Sequence, residues 1–161
     1  MLAPMPEHLR LLVIAALVGS GLVTGLLFAF SLVLMRALQE LPAATAMATM
    51  QRINVLILNP LFLTLFLGTA LLSVGIAVVA LRGLPGNGPV GLLIGAACYL
   101  LGPLGVTMAF NVPLNNRLAA AAAGEAGSAW PAYVVVWLRW NHVRTAIGTA
   151  GIAALGWGLS H

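Results

Sequence analysis

Hydrophobic positions in this chain come in long runs, and polar positions cluster between them. Leu11 to Met35 carries no charge and is closed by Arg36. Pro60 to Leu81 is a second run, ended by Arg82, and Val90 to Phe110 is a third. Runs of this length and purity read as membrane-crossing helices. The fourth is different. From Pro131, which suits the first turn of a helix, to about Leu159 nothing breaks a helical reading strongly. Its uncharged part, Thr145 to His161, makes only about 25 Å of helix, against a hydrocarbon core of about 30 Å. That deficit draws Asn141 and Arg144 towards membrane depth. The pattern predicts an all-α, up-down, four-helix transmembrane bundle. It is one integral membrane domain over residues 1–161, with spans at about 11–35, 60–81, 90–110 and 143–159. The last helix extends beyond the membrane.

The punctuation between runs is local chemistry. Pro42 can start a short helix within the connector Ala37 to Leu58, with Met47, Met50, Gln51 and Asn54 along one side. Asn59-Pro60 offers an N-cap followed by a first-turn proline; a kinked continuous helix is the alternative. Leu84 to Pro89, L-P-G-N-G-P, is a turn. Pro103 is expected to bend the third span, and Val112-Pro113 to stop it. Leu114 to Ser128 is then a loop holding an Ala-rich short helix. In the first span Gly21-x-x-x-Gly25 and Ser20-x-x-x-Thr24 offer small residues for close helix approach.

On the last helix Trp137, Asn141, Arg144, Gly148, Gly151 and Leu155 recur at spacings of four and three, so they form one stripe. Trp140 and Tyr133 flank it. With alternating span directions, one end of the bundle receives Arg36, Arg52, Asn54, Asn111, Asn115, Asn116, Arg117, Arg139, Asn141 and Arg144. The other receives Arg10, Arg82, Asn87 and the termini. Topology explains much of this, because Arg-rich connectors stay in the cytoplasm. It explains less well why Asn54, Asn111, Asn141 and Arg144 reach one mouth from several helices. Ionisable groups at membrane depth point to function, although Arg144 can also snorkel to the interface. Trp130, Trp137 and Trp140 fit an aromatic belt and a ligand wall equally well.

Composition narrows the chemistry. Apolar residues make up 61% of the chain and charged ones 6%, where soluble domains run near 45–50% and about 25%. The basic charge comes from seven Arg and no Lys, scattered at span ends rather than gathered into the dense face of a nucleic-acid binder. The first run is too long for a signal-peptide core, usually about 7–15 residues, and is expected to be retained. Cys98 reads as a small core residue. Three scattered His and three scattered Glu draw no metal cluster, no Ser-His-Asp set and no carboxylate pair. His142 points away from the stripe and reads as interfacial. What remains is hydrogen-bond donors, one fixed positive charge and aromatic walls.

Two motifs carry a resemblance. G-V-T-M-A-F-N-V-P-L-N-N-R-L (Gly105 to Leu118) and W-x-x-W-N-x-x-R-T (Trp137 to Thr145) are similar to the anthrone oxygenase family of small four-span membrane proteins. F-A-F-S (Phe28 to Ser31) and M-Q-R-I-N (Met50 to Asn54) fit the same pattern, over about Gly19 to Gly158. The resemblance implies oxidation of a flat, enolisable aromatic by O2, with no metal, flavin or other cofactor. In that chemistry donors aimed at the developing oxyanion favour the enolate. That role is expected of Arg144 and Asn141, assisted by Asn111 and Asn54. Trp137, Trp140, Asn115, Tyr133 and Phe28 are expected to bind the substrate. A general base is missing, and His142 is the only candidate. The competing class is a non-catalytic membrane module that binds a lipid, a hydrophobic metabolite or a partner protein; a haem protein through His142 is a distant third. Expected partners are a hydrophobic aromatic molecule, O2 and membrane lipid, with no nucleic acid; a homo-oligomer stays open. The expected location is a bacterial inner membrane, with the Arg-rich connectors in the cytoplasm and both termini outside.

Overall fold

The computed structural model describes residues 5–83 and 88–161. Every element among them is helical. Helix α1 is Glu7–Gln39, α2 is Ala43–Leu56, α3 is Pro60–Leu81, α4 is Gly88–Ala120 and α5 is Ala126–Ser160. A short 3-10 turn, Ala123–Glu125, leads into α5. The turn expected at Leu84–Pro89 lies largely outside the described residues, as does Asn87; α4 has already begun at Gly88.

The helix starts follow from local residues. Pro42 sits immediately before α2 in an extended conformation. Asn59 is also extended, and its Oδ1 accepts the Phe62 N–H at 3.0 Å, with Pro60 in the first turn. That cap separates α2 from α3, so no continuous kinked helix forms there.

Helices α1, α3 and α4 are long and apolar enough to cross a membrane, with mean hydropathy of 2.4, 2.3 and 1.8. This is a membrane protein. Helix α5 is the longest, at 35 residues, yet it is not among the three. Its apolar content is diluted by Asn141, Arg144, Thr145, Gly148, Gly151 and Gly158, all of which are buried. It packs between α1 and α4, while α3 packs against the same two helices. The result is a helical bundle in which the least apolar helix turns its polar stripe inward. Helix α2 lies across one end, where Met47 and Met50 join Phe30, Met35, Trp130, Tyr133 and Trp137 in an apolar cluster.

Lipid tails are as apolar as leucine, so close packing rather than water exclusion holds such helices together. At Gly148 three helices meet. A Cβ there would lie 2.6 Å from Thr24 Oγ1 of α1 and 3.1 Å from Pro103 Cγ of α4. At Gly151 it would lie 2.8 Å from Cys98 Cβ. The expected role of Gly21 and Gly25 does not hold within the bundle, because nothing lies within 4 Å of either. Gly19, against Thr69, and the buried Ser20 and Thr24 form that contact instead. The small residues on the neighbouring turn face α3 and α5; the glycine pair does not.

Two stretches are wound wide, in the π-helical pattern: Phe30–Leu34 in α1 and Leu100–Asn111 in α4. Two expected boundaries differ, and the second stretch accounts for one of them. Val112-Pro113 does not stop the third span; α4 continues to Ala120. The Val112 N–H donates to Thr107 O, five residues back, just before the proline. The wider turn leaves room for a ring that would clash with the carbonyl four residues back in an ordinary α-helix. Pro131 does not open the last helix either. Helix α5 begins at Ala126, and Pro131 sits exposed inside it. The expected loop Leu114 to Ser128 is therefore mostly helix.

Candidate functional site

The stripe predicted on the last helix is buried along its whole length: Trp137, Asn141, Arg144, Gly148, Gly151 and Leu155 all face inward. The buried face also extends back through Tyr133 and Trp130. A guanidinium is thus carried into the bundle rather than out to the interface, and Arg144 is only 6% exposed. Burying a charge is costly unless it is paired, so its partners decide what it can do.

Those partners are neutral. Arg144 Nε and Nη2 donate to Asn141 Oδ1, one turn earlier on α5, at 3.1 and 2.8 Å. Nη1 donates to Thr107 Oγ1 of α4 at 2.7 Å. The Thr107 hydroxyl in turn donates to Pro103 O within the wide-wound stretch. The Trp137 ring lies 5.2 Å from Cζ, in cation–π range. The three glutamates of the chain, Glu7, Glu40 and Glu125, are all exposed, and among the described residues no carboxylate bonds Arg144. A guanidinium has five N–H donors. Three are used, which among the described residues leaves two N–H groups without an acceptor and the positive charge without a counter-ion.

Asn141 is fully buried, and its amide is entirely committed. Its Nδ2 donates to Leu27 O and to Ser31 Oγ of α1, both at 2.8 Å. Its Oδ1 takes both bonds from Arg144. Both amide hydrogens point at α1, where the wide-wound stretch begins three residues after Leu27. Asn141 therefore has no donor left for a ligand. It fixes Arg144, and Ser31, Leu27 and Thr107 complete the frame. The sequence noted Ser31 and Thr107 without giving either a task, because their partners are more than 30 residues away.

The other amides are less satisfied. Asn111 is 1% exposed; its Nδ2 donates weakly to Trp137 O at 3.4 Å, and its Oδ1 has no partner. Asn54 of α2 is half-buried beside Tyr133, and its buried Nδ2 makes no well-formed hydrogen bond among the described residues. An unpaired buried amide group costs about 1–3 kcal/mol, so both amides have capacity left for a polar partner. Asn115 differs: its Oδ1 accepts from the Tyr133 hydroxyl at 2.8 Å and from Trp137 Nε1 at 3.0 Å. It holds two aromatic side chains in place.

The aromatic residues separate into two groups. Trp130, Tyr133, Trp137 and Phe30 form a chain with ring centroids 5.5–6.2 Å apart. Trp140 lies outside that chain. It stacks on Phe110 of α4 at 3.6 Å with the planes 6° apart, so a protein ring covers one face. Phe28 is 53% exposed on the surface of α1 and stands apart from the cluster; Phe30, two residues on, takes the inward place. His142 is exposed, as its position on the helix implies, and its Nδ1 lies 3.0 Å from Ser31 Oγ.

The arrangement can hold a negative charge. It has a buried guanidinium fixed by Asn141 and Thr107, with two N–H groups left over and the Trp137 ring beside it. A family model described as Anthrone oxygenase matches residues 60–154. Neither a search of curated proteins nor one of solved structures finds a match.

Proposed function

The chain belongs to the anthrone oxygenase family, and from that premise we propose that it is a membrane oxygenase. Its substrate is a flat, enolisable aromatic dissolved in the bilayer, its oxidant is O2, and it uses no metal or flavin. The observation that carries the reading is the buried Arg144, with two free N–H groups and no counter-charge. Reaction with O2 requires the enolate, whose oxygen carries the charge. A fixed cation in a low-dielectric site stabilises that charge without having to reorganise, and one such donor is worth about 10²–10³ in rate. In this reading Arg144 binds the oxyanion, with Asn111 and Asn54 beside it. Asn141 is a positioning residue, because its amide is spent on aiming the guanidinium. Trp137, Tyr133 and Asn115 form the wall behind, and the Trp140–Phe110 pair closes the α4–α5 seam outside it.

The balance of atoms closes without a cofactor. The methylene carbon opposite the carbonyl loses a proton, O2 adds there to give a peroxide, and loss of water leaves the second carbonyl. We place the protein in a bacterial inner membrane, with the Arg-rich end in the cytoplasm. The test is to reconstitute the purified protein with an anthrone and follow O2 uptake and quinone formation together. One O2 consumed per quinone formed, above the spontaneous rate, supports the reading. Saturable anthrone binding without O2 uptake would instead make the protein a carrier or binding module.

A further inference from the structure

Enolisation releases a proton, and the groups around Arg144 show which residues do not take it. From α1 come the Leu27 carbonyl and the Ser31 hydroxyl, both engaged by Asn141. From α4 come Thr107 and Asn111, and from α5 itself Trp137, Asn141 and Tyr133. Asn54 of α2 stands beside Tyr133. Among the described residues this shell holds neither a carboxylate nor an imidazole. His142 is exposed, with its Nδ1 turned to Ser31. A buried cation with neutral neighbours gains most from a guest that arrives already negative.

We infer that the site takes acidic aromatic ligands, phenols and enols alike, as their anions, with the proton passing to water rather than to a residue of the protein. In a phenol or enol the O–H bond breaks heterolytically; in a ketone such as an anthrone the methylene C–H bond does, and the electron pair delocalises onto the carbonyl oxygen. The electron pair stays on the ligand oxygen, against the free Nη donors of Arg144, and nothing is oxidised in this step. An opposite charge within about 4–6 Å lowers the pKa of an acid by about 1–3 units. A ligand too weak an acid to ionise in neutral water is then ionised in the site. This deepens the oxygenase reading, since it rests on Arg144 as the anion-holding group and explains how enolisation proceeds without a protein base. The pH dependence of binding follows the ligand. The bound anion persists down to about 1–3 units below the ligand's free pKa and is lost as the pH falls further.

The test uses 2-naphthol, whose neutral and ionised forms differ in absorbance and emission, with the full-length protein in lipid nanodiscs under argon. The ionisation midpoint of the bound probe should fall by about 1–3 units, a 10- to 1,000-fold gain in the ratio of ionised to neutral probe. In weakly buffered solution, at a pH between the bound and free midpoints, binding should release up to one proton per probe. Arg144→Gln should abolish the shift and His142→Gln should leave it unchanged. The non-ionisable 2-methoxynaphthalene should release no proton. Naphthol that binds neutral, fails to bind, ionises without releasing a proton, or loses its shift in His142→Gln overturns the inference. The wild-type spectrum and proton count decide the matter even if Arg144→Gln does not fold. Neutral bound naphthol with intact anthrone oxidation removes this inference alone. Bound naphtholate with no anthrone oxidation removes the oxygenase reading alone.

Discussion

At the scale of residues, Arg144 and Asn141 have different tasks despite lying one turn apart on the same stripe. Arg144 offers charge and free donors; Asn141 offers only orientation. The difference predicts that Asn141→Asp lowers activity by two routes, the loss of its donor bonds to Leu27 O and Ser31 Oγ and a new counter-charge on Arg144. A carboxylate against Nε and Nη2 would neutralise the guanidinium in place. O2 uptake should fall by about 10²–10³, as for loss of the donor itself, although the arginine remains. Wild-type turnover in Asn141→Asp would show that the bare charge is not what the site uses. The stripe was legible in the sequence because 3.6-residue periodicity aligns Trp137, Asn141 and Arg144. The spent amide was not, because its acceptors, Leu27 O and Ser31 Oγ, lie on the first helix. Phe28 and Phe30 show the same limit: two residues apart they point to opposite sides of the helix, and which ring faces inward depends on contacts with other helices.

At the scale of elements, Gly148 of α5 rather than Gly21 and Gly25 of α1 sets how closely the helices approach. Gly148→Ala would push a methyl group to 2.6 Å from Thr24 Oγ1. Overpacking of this kind costs about 1–3 kcal/mol. Thermal unfolding in detergent should show a clear fall in midpoint for Gly148→Ala and none for Gly21→Ala, whose surroundings are open. The reverse order would mean that Gly21 carries a contact after all. Helix starts were legible where the signal is local, as at Asn59-Pro60, where cap and proline act within one turn. The expected helix end at Pro113 and the expected helix start at Pro131 were not. The rule that a helix stops before proline assumes α-helical winding, and Leu100–Asn111 is wound wide.

At the scale of the whole molecule, three helices supply the apolar wall and a fourth brings polarity into its centre. That division explains why composition identified a membrane bundle at once, while the hydropathy of α5 alone understates its place in the core. With the Arg-rich end in the cytoplasm, a reporter fused after His161 should appear on the outer side of the membrane. A cytoplasmic reporter would reverse the orientation.

The most direct measurement is the anthrone-dependent O2 consumption of reconstituted wild type and Arg144→Gln side by side, with quinone formation as the second readout. Wild type should consume O2 and form quinone in equal amounts, and Arg144→Gln should lose about 10²–10³ in kcat/KM while retaining the fold of the bundle. Equal rates in the two proteins, in a sample shown to be folded, would contradict the account.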